Sequence, residues 1–227
     1  MEAIINIQGL YKIYNVGLEK LYALRDINLK IYNGDFISII GKSGSGKSTL
    51  MNILGCLDLP TMGEYYLNGQ CVSKLKDSQL SHIRNRELGF IFQNFNLINS
   101  LNAIENVELP LIYRGIPSQE RLKKSKDALI SVGLEKRLYH TPSQMSGGQQ
   151  QRVAIARAIV MDPTIILADE PTGNLDSKSS KIIVDILKSL NQKGKTIILI
   201  THDQEVAKKA KKIIKIIDGE IQDNQNN

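Results

Sequence analysis

The sequence contains no long apolar run: stretches such as Ile165–Ala168 span only a few positions. A helix that crosses a membrane needs about 20 such residues, so the chain is not expected to span a bilayer. The first residues also lack a basic segment followed by an apolar core and a cleavage site, so no secretion signal is expected. We therefore expect a cytoplasmic protein.

Cysteine is equally scarce, and Cys56 and Cys71 lack the paired spacing of a metal or disulfide motif. We expect both to be reduced thiols without a functional role. Internal repeats, low-complexity tracts and long heptad stretches are also missing, which argues against repeat and coiled-coil architectures. Only Asp223–Asn227 is expected to be disordered.

The net charge of +6 suits an anionic ligand, an anionic membrane surface or a nucleic acid, and does not distinguish among them. The densest basic run is expected on a terminal helix, where a solvated face is favoured over a lipid or nucleic-acid patch. Its members are Lys208, Lys209, Lys211 and Lys212. The 227 residues, of which 42% are hydrophobic, suffice for one substantial core.

Antiparallel strands are predicted around Ile4–Ile7 and over Tyr22–Ile31, where apolar residues alternate before a turn at Asn33-Gly34. The Ile-rich run Phe36–Ile40 predicts a central strand buried on both faces. A helix is expected to follow it over Ser48–Leu54.

Residues 94–145 predict a helical lobe, whose clearest helix is expected to start with Ser118 as N-cap and to end at Gly133. Beyond it, strands over Ile165–Ala168 and Thr196–Ile200 flank a helix that ends at Gly194. The apolar stripe of that helix consists of Ile183, Ile186, Leu187 and Leu190. This α/β alternation predicts a parallel sheet with ligands at the carboxyl ends of its strands.

The segment GKSGSGKST fits the pattern GxxxxGK[ST] and lies between a predicted strand and a predicted helix. Its glycines let backbone N–H groups converge on phosphate oxygens, and the helix N-terminus adds partial positive charge. Lys47 supplies a full charge, while the Ser48 hydroxyl is expected on Mg²⁺. A simple glycine-rich turn is the alternative, which the context disfavours. The predicted nucleotide contacts are Gly41, Ser43, Gly44, Ser45, Gly46, Lys47, Ser48 and Thr49.

Two acids, Asp169 and Glu170, end the apolar strand. A buried charge needs a cation or hydrogen-bond donors, so Asp169 is the candidate Mg²⁺ ligand. Because side chains alternate along a strand, Glu170 is expected to face elsewhere and to act as the general base. Two polar residues at other strand ends are further candidates: His202 for the γ-phosphate, and Gln93 for Mg²⁺ or the attacking water.

Ser146-Gly147-Gly148-Gln149 precedes an apolar helix and predicts a capping box in which Ser146 and Gln149 bond each other's backbone. A well-capped helix is the plain interpretation. Two glycines in a first turn are poor helix formers, however, and they suit a backbone that a ligand must approach closely.

Taken together, these motifs resemble the ATP-binding cassette family over Ile4–Gln222, with the fold of an α/β P-loop NTPase: a mostly parallel sheet, an N-terminal antiparallel β subdomain and an inserted helical subdomain. The resemblance divides one nucleotide-binding domain into a core (1–93 and 146–222) and a helical part (94–145). It also implies that Tyr14 stacks on adenine, with Tyr11 as a competitor. The family signature usually begins with Leu where this chain has Met145.

The resemblance further implies an ATPase that binds ATP and Mg²⁺, in which residues 146–149 contact the ATP of a second copy in a head-to-tail homodimer. Asp176 would communicate across that interface, and Gln93 would couple the nucleotide to an integral-membrane permease. No nucleic acid is expected, and membrane contact is expected only through the permease, on the inner face of the cell membrane.

Segments such as Met51–Asp58 and Glu105–Leu111 are similar to those of macrolide-exporter and lipoprotein-release ATPases, which implies export of a peptide, lipoprotein or drug. A cargo-free ATPase that transmits force in cell division shares these motifs and remains an alternative. A DNA-maintenance ATPase is disfavoured, because it would need a long coiled coil between the two phosphate motifs.

Overall fold

The computed structural model describes residues 2–17 and 19–222, and their strands form two sheets. The first sheet is antiparallel, in the order β2-β1-β4-β5. Its strands are β1 (Ala3–Val16), β2 (Glu19–Tyr32), β4 (Met62–Leu67) and β5 (Gln70–Cys71). The antiparallel start predicted from the sequence is therefore confirmed, with longer strands than the apolar pattern showed.

The second sheet is parallel except at one edge and has the order β10-β9-β3-β8-β7-β6. Its strands are β3 (Phe36–Ile40), β6 (Leu88–Ile91), β7 (Ile165–Asp169), β8 (Thr196–Ile200), β9 (Lys212–Ile217) and β10 (Glu220–Gln222). The predicted α/β fold class is confirmed, and β3 lies in the middle of this sheet.

Seven α-helices surround the sheets in the described chain. They are α1 (Lys47–Leu54), α2 (Asp77–Glu87), α3 (Ala103–Tyr113), α4 (Ser118–Ser131), α5 (Gly147–Ile159), α6 (Ser177–Gln192) and α7 (Gln204–Ala207), with short 3-10 turns at Val72–Lys74 and Pro142–Gln144. The sequence pattern did not predict α2, which buries only Leu80 and Ile83. Within residues 2–17 and 19–222, no helix combines the length and the apolar character that crossing a bilayer requires.

Two apolar cores lie on opposite faces of the parallel sheet. Ile165 and Leu167 of β7 pack with the antiparallel sheet and α1, whereas Ile166 and Ala168 pack with helices of the 103–187 region. Every residue of β8 is buried. Both faces of the central strands are therefore covered, which explains their continuous apolar runs and fixes the strand ends from both sides.

Two local predictions were wrong. Ser118 is the first residue of α4 rather than its cap: the N-cap is Pro117, which makes no side-chain cap bond. The four lysines do not lie on a terminal helix, because α7 ends at Ala207 and Lys212 already begins β9. Basic residues in a turn carry no helical periodicity, so their charge was mistaken for a helix face. The tail predicted to be disordered, Asp223–Asn227, lies outside the described residues.

Candidate functional site

The loop between β3 and α1 has a backbone that requires its glycines. Gly44 and Gly46 have φ angles of 78° and 102°, a left-handed region that favours glycine. A Cβ on Gly41 would collide with the Ile216 carbonyl oxygen. Ser43 and Ser48 are exposed, whereas the Ser45 hydroxyl is buried without a hydrogen-bond partner in the described chain. The loop therefore presents exposed backbone and hydroxyl groups next to the N-terminus of α1.

The Lys47 ammonium lies across this loop. Its Nζ donates to the carbonyl oxygens of Gly41 at 2.9 Å and Lys42 at 2.7 Å. These neutral acceptors hold the ammonium against the backbone of the loop. A triphosphate bound there would replace them with charged oxygens, which make stronger hydrogen bonds.

Asp169 ends β7 near this lysine. The pKa of its carboxyl is raised, chiefly by burial and also by the neighbouring Glu170 charge, while Lys47 acts in the opposite direction. Its oxygens make no hydrogen bond within residues 2–17 and 19–222. A cation placed there would offset both unfavourable contributions.

Glu170 lies just beyond the end of β7, so the alternation of side chains along a strand does not set its direction. Its backbone is left-handed, with a φ angle of 44°. One carboxylate oxygen accepts from the His202 backbone N–H at 2.9 Å and contacts the ring Nδ1 at 2.7 Å. The other accepts from the Thr201 hydroxyl at 3.1 Å. Both oxygens are thus fixed by the segment that follows β8.

His202 extends from its contact with Glu170 toward solvent. Its side chain is 72% exposed, compared with 15% for Glu170. With Nδ1 directed at the carboxylate, Nε2 is the ring atom left to meet a ligand. The structure therefore pairs Glu170 with His202 and leaves the Nε2 edge of the imidazole accessible.

Gln93 follows β6 and is held by Asn174. The Gln93 amide donates to the Asn174 side-chain oxygen at 3.1 Å, and the Asn174 amide donates to the Gln93 backbone carbonyl at 3.3 Å. A Cβ on Gly173 would stand 2.9 Å from the Gln93 amide nitrogen. Residues 173 and 174 thus control where the Gln93 side chain lies, a relation that the sequence pattern did not show.

Tyr14 is fixed beside the end of α1 by an acidic residue. Its hydroxyl donates to Asp58 at 2.9 Å, and Lys12 donates to the other Asp58 oxygen at 2.6 Å. Burial and the bond to Asp58 raise the pKa of Tyr14, while a hydrogen bond with Thr49 of α1 lowers it. Tyr11 instead pairs with Met62 of β4. Of the two candidate tyrosines, Tyr14 is the one whose hydroxyl interacts with Thr49 of α1.

The helix α5 begins with the predicted capping box. The Ser146 hydroxyl accepts from the Gln149 N–H at 3.3 Å, and the Gln149 side chain accepts from the Ser146 N–H at 2.9 Å. The two glycines differ in their surroundings. A Cβ on Gly147 would meet its nearest atom at 3.4 Å, but one on Gly148 would stand 2.6 Å from the Ser179 hydroxyl oxygen. Gly148 therefore has a packing role of its own.

Asp176 caps α6 beside this contact. Its carboxylate accepts from the Ser179 N–H at 2.8 Å and from the Ser179 hydroxyl at 2.7 Å. These bonds hold the pKa of Asp176 below its usual value. The side chain is exposed, so its free edge is available to a second molecule.

The two glycine-rich segments lie toward different strands of the sheet. The Gly41–Thr49 loop follows β3, whereas Gly147 lies close to Phe95, just beyond the edge strand β6. Three strand spacings of about 4.8 Å separate β3 from β6, which amounts to about 14 Å. The two segments therefore lie beyond strands that are not neighbours in the sheet.

Alanine at the two glycines should separate packing from ligand contact. Gly148→Ala is expected to lower the free energy of unfolding by about 1–3 kcal/mol, because its methyl group collides with Ser179 while that hydroxyl is bound to Asp176. Gly147→Ala has room and should change stability by less than about 1 kcal/mol. Urea denaturation measures both variants. Equal losses would contradict the packing role of Gly148.

Comparison with known proteins adds independent findings. Residues 24–173 match the family described as ABC transporter. An uncharacterized ABC transporter ATP-binding protein of Methanocaldococcus jannaschii, MJ1508, is 54% identical over 217 residues, which cover 96% of this chain and 97% of that protein. The macrolide export ATP-binding/permease protein MacB of Wolinella succinogenes is 51% identical over 96% of this chain, which spans only 34% of MacB.

A solved structure gives the same result in three dimensions. It is described as the dimeric, post-hydrolysis state of the ATP-binding cassette MJ0796 bound to ADP and Pi. Its TM-score to this chain is 0.89 at 48% identity, and the match covers 96% of this chain and 97% of that one.

Proposed function

Because this chain belongs to the ABC transporter family of ATP-binding ATPase subunits, we propose that two copies close head to tail around two Mg-ATP and drive a separate membrane permease. The observation that carries the proposal is that the two segments lie beyond different strands, β3 and β6, which are three strand spacings, or about 14 Å, apart in the sheet. A second copy, turned by a two-fold axis, brings its Ser146–Gln149 segment to the ATP of the first. The dimeric assembly of the related cassette MJ0796 supports this arrangement.

Each predicted site residue takes a role consistent with its position. The Gly41–Thr49 loop and Lys47 bind the phosphates, and Tyr14 stacks on the base. Glu170 orients the attacking water and accepts its proton, while His202 contacts the γ-phosphate through Nε2. Asp176 meets the partner copy from its exposed position at the start of α6.

The residues near the loop fit Mg²⁺. Burial and the Glu170 charge raise the pKa of the half-buried Asp169 carboxyl more than Lys47 lowers it, and Ser48 offers an exposed hydroxyl. Mg²⁺ prefers such oxygen ligands. When bound, the ion would neutralise phosphate charge. Gln93 is a third candidate ligand, but its amide must first leave Asn174.

The surface proposed to receive the permease is a groove of about 1080 Å³ between the sheet edge and α2 and α3. Its apolar lining includes Phe90, Phe92 and Tyr113, and Tyr113 is 86% exposed. Its charged lining consists of Arg84, Arg114 and Arg157, with no Asp or Glu among the described lining residues. An amphipathic helix with acidic residues at its edge matches this surface. Phe92 directly precedes Gln93, which links the groove to the nucleotide.

An acidic residue introduced into the groove tests the partner. Tyr113→Glu is expected to weaken binding to the cognate permease at least tenfold and to leave the basal ATPase rate of the isolated chain unchanged, because Tyr113 is remote from the nucleotide loop. Tyr139→Glu is the matched control: Tyr139 is 64% exposed and lies outside the groove lining. Titration of detergent-solubilised permease against each variant measures the effect. Equal weakening by both variants would place the interface elsewhere.

The cargo proposed for the complex is a peptide, lipoprotein or drug moved outward. The similarity to MacB, whose name specifies macrolide export, supports export. The permease selects the cargo, so reconstitution of this chain with it in vesicles tests the proposal. ATP-dependent loss of labelled cargo from the ATPase side supports export, whereas stimulated hydrolysis without movement of any cargo supports force transmission. The chain would then work at the inner face of the membrane, held there by the permease.

A further inference from the structure

Gln151 is a buried amide that the roles assigned so far do not use. It is the fifth residue of α5, its side chain is fully buried, and its helix neighbours Val153, Ala154 and Ile155 are buried apolar residues. A neutral amide in such surroundings is costly unless hydrogen bonds compensate it. Its bonds therefore indicate what it does.

The Gln151 amide nitrogen joins the ends of two neighbouring strands. It donates to the Pro171 carbonyl at 2.7 Å and to the Phe92 carbonyl at 3.3 Å. Phe92 directly precedes Gln93, and Pro171 directly follows Glu170. Since β6 and β7 are adjacent and parallel, one side chain connects the two places where the proposed water-handling residues leave the sheet.

The orientation of this amide is determined by its partners. Both acceptors are carbonyl oxygens, so a reversed amide would place oxygen against oxygen. The Gln151 oxygen is buried and finds no hydrogen-bond partner in the part of the chain described. A buried oxygen without a partner destabilises the fold. Because glutamine is present despite that cost, the two hydrogen bonds that its amide donates matter at this position.

The position that Gln151 secures is a strained one. Glu170 has a left-handed backbone, which costs energy for any residue with a side chain, and Pro171 has no N–H with which to stabilise the turn. The loop after β6 keeps a separate attachment to α5, because Arg157 donates to the carbonyls of Phe95 and Asn96. Losing Gln151 should therefore shift the strand ends without detaching the loop.

We infer that Gln151 is a positioning residue for ATP hydrolysis: it sets the distance between Glu170 and Gln93 and ties both to the helix that starts with Ser146. The inference rests on the proposed roles of Glu170 and Gln93. It requires two hydrogen-bond donors at this position and not merely a side chain of suitable shape.

Two substitutions separate donors from shape. Gln151→Met keeps the length without donors, and Gln151→Glu keeps the outline but places a carboxyl group against two carbonyl oxygens. Both are expected to lower kcat for ATP about 10- to 100-fold, with KM changing less than about threefold, because a displaced catalytic group slows the reaction more than it weakens binding. Wild-type kcat in Gln151→Glu would show that shape suffices and would overturn the inference.

Gln150→Met is the matched control. The Gln150 amide also donates to two backbone carbonyls, those of Pro142 and Met145, but neither lies at a strand end of the sheet. The melting temperature of Gln150→Met should fall by about as much as that of Gln151→Met, whereas its kcat should stay within about twofold of the wild-type value. The kcat values are normalised to the concentration of folded protein that binds ATP. If kcat fell no further in Gln151→Met than in Gln150→Met, the role of Gln151 would be structural only.

The background Glu170→Gln distinguishes this inference from the proposed function. In that background Gln151→Met should still form the ATP-dependent dimer, because the Gly41–Thr49 loop and the Ser146–Gln149 segment are unchanged. Absence of the dimer in Glu170→Gln itself would count against the proposed sandwich. If the dimer forms in Glu170→Gln but not in the double variant with Gln151→Met, the positioning role of Gln151 is overturned.

Discussion

Replacement of Glu170 by Gln is expected to lower the rate of ATP hydrolysis by about 10²- to 10⁴-fold, the contribution of a positioned base. Gln has nearly the same shape, so it keeps the contacts with Thr201 and His202 in part, but it cannot accept a proton from water. The carboxylate it replaces is 15% exposed and held at both oxygens, as a base aimed at one water must be. Phosphate release under saturating ATP measures the loss.

The same variant should retain ATP and accumulate as a dimer. Light scattering with and without ATP measures this, and a variant that stays monomeric at saturating ATP would count against the two-copy sandwich. Glu135→Gln removes one acid from an exposed site in the 94–145 segment and should behave as the unmodified chain does. A comparable rate loss in Glu135→Gln would show that net charge, rather than the base, is responsible.

Lys47→Ala is expected to weaken ATP binding by about ten- to a hundredfold or more. Hydrogen bonds to charged groups contribute about 1.5–3 kcal/mol each, and about 1.4 kcal/mol corresponds to a tenfold change in affinity. The ammonium lies across the loop on the Gly41 and Lys42 carbonyls, where a phosphate would meet it. A nucleotide titration by fluorescence or calorimetry measures the affinity.

Lys42→Ala provides the comparison within the same loop. The Lys42 side chain is exposed, and only its backbone carbonyl contacts Lys47, so alanine leaves that contact in place. Its affinity for ATP should stay within about threefold of the unmodified chain. If Lys47→Ala bound ATP as tightly as Lys42→Ala, the phosphate-binding assignment of the loop would be wrong.

Most of the fold could be predicted from the sequence because its central strands are buried on both faces. Continuous runs such as Phe36–Ile40 and Thr196–Ile200 are characteristic of that environment. The helix α2 could not be predicted, since only two of its residues are buried. The lysine cluster was misplaced for a related reason: charge alone does not distinguish a helix face from a turn.

The candidate site was predictable where a motif is contiguous and hidden where partners are distant in sequence. The glycine loop and the capping box each lie within one short segment. Tyr14 and Asp58 are 44 residues apart, and Gln93 and Asn174 are 81 apart, so only the folded chain brings them together. Asp169 and Glu170 were identified as strand-end acids, but the left-handed backbone at Glu170 and its contacts with the segment after β8 are visible only in the folded chain.

The placement of the two glycine-rich segments beyond different strands of the sheet also governs kinetics. If each working site needs parts from two molecules, hydrolysis by the free subunit is second order in protein and becomes very slow when the subunit is dilute. Two subunits held on one permease instead meet at a high effective concentration set by their tether, and the reaction becomes first order in the complex. Wasteful consumption of ATP away from the membrane would then be limited by encounter alone, with no inhibitor required.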